Sequence, residues 1–122
     1  MSQPSDLDVE VYRDGVLVGA SGGPTTAEQV SFTNPVAGTY TVRVVGFAVP
    51  VGAANFTLSH WQLGTASAGN MTVSAPATAV TGTTGTVTIT TSGLTAGTRY
   101  LGSVVYGGTS GLPGPTIVRI DP

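Results

Sequence analysis

The sequence predicts an all-β protein, an antiparallel β-sandwich with about eight to nine strands. Three observations carry that expectation. Apolar residues recur with a period of two, as in half-buried strands, and helical periodicity is almost absent. Thr, Val and Gly dominate, and β-branched side chains fit a pleated surface. The 18 Gly and 8 Pro are scattered without a G-X-Y period, which marks frequent turns rather than collagen.

Each element follows in order. Leu7, Val9 and Val11 alternate with Asp8, Glu10 and Tyr12, giving a first strand. Asp14-Gly15 supplies a two-residue hairpin turn, because both residue types tolerate positive φ, and residues 16–18 return as a second strand. Past Gly22-Gly23-Pro24, residues 29–33 read as a third strand. The turn at 34–38 leads into 39–45, with Tyr40, Val42 and Val44 on one face. Pro50-Val51-Gly52 breaks this strand, and residues 55–63 follow with Phe56 and Leu58 inward. The small residues of 64–69 form a joint that divides the chain into parts 1–64 and 65–122. A part of about 60 residues is marginal by itself, so the two are expected to pack closely. In the second part, residues 70–74, 86–91, 99–106 and 116–120 read as four strands. Leu94-x-x-Gly97-x-x-Tyr100 has the spacing of a tyrosine corner, in which a phenol bonds upstream backbone, and 35–40 is a shorter version. Tyr40 and Tyr100 are therefore read as structural.

Composition narrows the function. Charged residues make up 8% of the chain and hydrophobic ones 40%, the reverse of a disordered tail. The net charge is −2, there is no lysine, and Arg13, Arg43, Arg99 and Arg119 are too dispersed to follow a phosphate backbone. Nucleic acid is not an expected partner. Neither is a membrane, since no apolar run approaches the ~20 residues of a spanning helix. With no cysteine, disulfides, thiol nucleophiles and cysteine zinc sites are excluded.

Several segments resemble known families. The run from Ser5 to Tyr12 with Asp14-Gly15, then Pro35-x-x-Gly38-Thr39-Tyr40-Thr41-Val42-Arg43-Val44, resembles the bacterial pre-peptidase C-terminal (PPC) domain. Asn55-Phe56-Thr57-Leu58 is similar to that family's closing N-Y-T-L strand, with Phe for Tyr. The second part resembles the fibronectin-III-like segment that ends many secreted subtilisin-like (S8) serine peptidases. Gly69-Asn70-Met71-Thr72-Val73 stands for its G-N-L-T-V start, and residues 93–102 for its G-L-x-x-G-x-x-Y-L-G centre. The resemblance implies a non-catalytic accessory module of a secreted peptidase, with a signal peptide upstream in the parent chain. Its partners would be the parent peptidase domain and a protein or polysaccharide polymer. PPC-like domains carry strands before the D-L-D segment, and only Met1 to Ser5 precede it here. The Asp6–Arg13 strand is accordingly expected either to take its missing neighbour from the second part or to have an open edge, through which the module could dimerise or accept a strand.

No residue is assigned a catalytic role. His60 is the single histidine, on the strand face of Phe56 and Leu58, with Ser59 on the opposite face. The peptidase family's G-T-S-x-A and D-[ST]-G motifs are missing from the sequence. No cofactor is expected apart from one candidate metal. Asp6, Asp8 and Glu10, at i, i+2 and i+4 on a strand, project to one side and offer hard oxygen ligands suited to Ca²⁺, or else form a solvated outer face. Tyr12 and Trp61 are the candidate binding aromatics, as platforms for a sugar ring. The alternative role for Trp61 is packing between the two parts, just before the joint at Gly64. Alternatives to the accessory module are a carbohydrate-binding module and a structural spacer of a cell-surface protein.

Overall fold

Strand β1 (Asp6–Arg13) forms because its alternation gives it one apolar and one polar face, and both edges find partners. The structure, a computed structural model, describes residues 5–108 and 111–122. It is all-β: among the described residues there is no helix, and every paired strand is antiparallel. The chain divides into two compact units, Met1–Leu58 and Ser59–Pro122.

The first unit holds a three-stranded sheet ordered β2-β1-β3, with β2 at Val16–Ser21 and β3 at Tyr40–Ala48. Asp14 and Gly15 close the β1–β2 hairpin with φ of 50° and 83°, both in the left-handed region that a primed two-residue turn demands. The turn is also tied to the start of β3. The Asp14 amide donates to the Thr39 carbonyl at 2.9 Å, and the Thr39 amide donates to Asp14 Oδ1 at 2.9 Å. Leu7 and Val11 are buried on the apolar face, where Val9 lies opposite Val44 and Val11 opposite Val42.

Two expected strands are not strands. Residues 29–33 form no ladder; they lie over the sheet's apolar face instead. A Cβ on Gly19 of β2 would come within 2.8 Å of Val30 Cγ1 and 2.9 Å of the Phe32 ring. Phe32 also meets Tyr40, ring centroids 5.8 Å apart and planes tilted by 60°. Alternation at 29–33 thus reports a covering layer, not an edge pairing. Residues 55–63 likewise form no ladder, and Phe56 and Leu58 are 57% and 53% exposed rather than inward. Seven strands result among the described residues, against the eight or nine expected.

A second correction concerns β1. Its expected open edge does not exist, because β1 is the central strand, paired with β2 on one side and β3 on the other. The sheet's edges are β2 and β3.

The second unit contains two separate ladders, β4 (Met71–Ser74) with β5 (Thr88–Thr91) and β6 (Tyr100–Val104) with β7 (Thr116–Ile120). They meet where Gly102 leaves room for Met71, whose Cε and Sδ would stand 3.1 and 3.2 Å from a Cβ there. Among the described residues of this unit, Val104 is the buried one.

Candidate functional site

The acidic face of β1 is the most highly charged surface of the first unit. Alternation places Asp6, Asp8, Glu10 and Tyr12 on the face opposite Leu7 and Val11. Their side chains nevertheless diverge. Glu10 accepts a hydrogen bond from the Tyr12 hydroxyl at 2.8 Å and pairs with Arg43 across the ladder at 3.6 Å. Asp8 faces the loop after β2, where its Oδ1 would stand 3.2 Å from a Cβ on Gly22. Asp6 Oδ1 is shielded from solvent without a hydrogen-bond partner.

That loop is held by Glu28, whose carboxylate accepts the Gly23 amide at 2.9 Å and the Ser21 hydroxyl. The Leu7 amide donates to the Thr25 carbonyl at 3.2 Å, so the loop runs back beside β1. Asp8 consequently sits in a negative environment. Partial burial first, and then the carboxylates of Asp6, Glu28 and Glu10, push its pKa above the ordinary aspartate value. The Tyr12 phenol is raised as well, chiefly because its proton is held by Glu10.

The candidate calcium set is not drawn together. Among the described residues no three or more His, Cys, Asp or Glu side chains gather closely enough to hold a metal ion. The reason is local: Glu10 is turned aside by Tyr12 and Arg43, leaving Asp6 and Asp8 without a third carboxylate from β1.

Of the candidate binding aromatics, Tyr12 is half-buried with its hydroxyl committed to Glu10. Trp61 is half-buried, and its indole N–H donates to the Arg99 carbonyl at 3.2 Å. The two belong to different units. His60 is exposed. A recess in the first unit is lined by Thr26, Asn55, Phe56 and Thr57, which present no charged group.

The chain matches no family model, no curated protein and no solved structure.

Both tyrosines assigned structural roles bond upstream backbone. The Tyr40 hydroxyl donates to the Val36 carbonyl at 2.7 Å, and the Tyr100 hydroxyl accepts the Thr95 amide at 3.0 Å. Because the Tyr100 oxygen is an acceptor, its ionised form is favoured and its pKa falls below the ordinary value. Sequence reasoning did not single out the cluster closing the second unit. Asp121 accepts two hydrogen bonds from Arg119, at 3.0 and 2.7 Å, and faces Arg99 at 3.8 Å. Its pKa is lowered, first by the Arg119 bonds. The signal available was the i, i+2 spacing of Arg119 and Asp121 at the end of a strand.

Proposed function

We propose that this chain is a non-catalytic accessory module of a secreted subtilisin-like serine peptidase, aiding substrate or surface binding or stabilising the peptidase domain. One observation supports the reading most. The segments that resemble the PPC domain, Asp6–Tyr12, Asp14-Gly15 and Thr39–Val44, are neighbours in a single sheet, joined where Asp14 bonds Thr39. Motifs distant in sequence and adjacent in space are what a shared module requires. A rigid sheet face bearing Asp8, Glu10, Tyr12 and Arg43 offers polar contacts to a partner protein or polymer.

Co-sedimentation of the purified chain with insoluble collagen, keratin, chitin, cellulose and peptidoglycan tests the reading. Each polymer is assayed with calcium and with chelator. Retention on a protein polymer, or a raised thermal midpoint of a subtilisin-like peptidase domain mixed with the chain, is the expected result. Retention on a polysaccharide alone, lost in Trp61→Ala or Tyr12→Ala, would replace it with a carbohydrate-binding module. Binding to none of these, with no effect on the peptidase, would leave a spacer.

A further inference from the structure

We infer that the outer edge of β3 pairs with the same edge of a second copy of this chain, in antiparallel register about a two-fold axis at Val44. The two edges of the first unit's sheet differ in kind. β2 has 6 residues, is bulged where the register slips opposite Val11 and Tyr12, and runs into the loop clamped by Glu28. β3 has 9 residues, and neither it nor β2 carries proline or lysine, the residues that usually guard an edge, so the longer strand is the more open of the two. Its own bulge lies at Phe47, so Tyr40–Gly46 is regular.

The direction of the β3 peptide groups follows from two bonds. Asp14 exchanges hydrogen bonds with Thr39 across the β1–β3 pair, whereas the Leu7 amide points the other way, to Thr25. Alternation then turns the N–H and C=O groups of Tyr40, Val42, Val44 and Gly46 outward. Among the described residues no backbone group bonds to this edge.

An antiparallel pair must match outward groups with outward groups, which allows two-fold axes at Val42, Arg43 or Val44. An axis at Arg43 would set the two guanidinium groups directly opposite each other, a like-charge pair that sheets avoid. An axis at Val44 pairs Val44 with Val44 and Val42 with Gly46, and sets Arg43 beside Val45 of the second copy. Val45 is the ladder partner of Asp8. Each Arg43, already paired with its own Glu10, is thereby directed toward the other copy's crowded acidic face of Asp6 and Asp8. An axis at Val42 would instead set Arg43 beside Thr41, farther from both carboxylates. Charge and backbone geometry select the same occupant and the same register.

The whole chain is measured by sedimentation equilibrium over a wide concentration range, with amide hydrogen exchange read at both ends. The expected result is a two-fold rise in mass with concentration, with slowed exchange at Val42, Val44 and Gly46 only when concentrated. Val44→Pro removes an outward N–H that no ladder within the monomer uses, so it should leave the far-ultraviolet dichroism unchanged and hold the mass at the monomer value. A monomer mass at every concentration would overturn the inference. So would a dimer in which the three amides exchange as fast as in dilute solution, or a folded Val44→Pro dimer.

Discussion

The two units solve the same problem with different sheets. In the first, β1 has a neighbour on each side, and the face it shares with β2 and β3 buries Leu7 and Val11 beneath a cover that includes Val30 and Phe32. In the second, among the described residues, every strand has one neighbour, none exceeds 5 residues, and Val104 is the residue that reaches comparable burial. Composition explains the contrast. β1 alternates large apolar residues with charges, while β4 and β5 read MTVS and TITT, and threonine buries little apolar surface. A central strand with a strongly two-faced pattern concentrates a core, and short hydroxyl-rich ladders spread it thinly.

Emptying the two cores separates the units most strongly. Leu7→Ala should cost about 2–5 kcal/mol of unfolding free energy by denaturant titration. Val104→Ala should cost about 1.5–2 kcal/mol, roughly 0.8 kcal/mol for each carbon removed. Equal losses would mean that the second unit depends on one residue as heavily as the first depends on its sheet.

A smaller effect tests the cover over the first sheet. Gly19→Ala drives a methyl group into Val30 and Phe32 and should destabilise by about 1–3 kcal/mol. Pairing it with Val30→Ala should recover part of the loss; no recovery would mean that residues 29–33 do not lie where the sheet needs them.

The finest comparison is between two phenols. Tyr12 donates to Glu10 and is shifted up, and Tyr100 accepts from Thr95 and is shifted down. In an alkaline titration followed by tyrosine absorbance or NMR, Tyr100 should ionise before Tyr12. Glu10→Gln should bring Tyr12 back toward Tyr100. The stability consequences have opposite signs. The Tyr12 contribution is complete below the pH at which an unfolded tyrosine ionises, and disappears as pH climbs through its raised folded value. The Tyr100 contribution appears as pH rises through its lowered folded value and is complete above the unfolded one.

The first sheet was largely legible. Alternation at Leu7–Tyr12, the Asp14-Gly15 turn and the run from Thr39 placed β1, β2 and β3, and the four later strands fall within or at the ranges read for them. What alternation could not distinguish was edge pairing from face covering. A strand beside a sheet and a segment laid over it both need every second side chain apolar, so 29–33 looked like a strand while Val30 and Phe32 were serving as a lid. The candidate site was legible as a row, not as a cluster. Spacing put Asp6, Asp8 and Glu10 on one face, but the side-chain torsions that send Glu10 to Arg43 and Asp8 toward the Glu28 loop depend on neighbours remote in sequence.

The hydrogen bond from Trp61 to the Arg99 carbonyl gives the molecule an optical gauge. The sequence holds a single tryptophan, and its only donor is fastened to the residue that immediately precedes β6. Loosening at the start of that ladder frees the indole and moves its emission toward that of hydrated tryptophan, with no label attached. The tyrosines of the first unit contribute no such emission, so one wavelength follows the β6 end of the second unit alone.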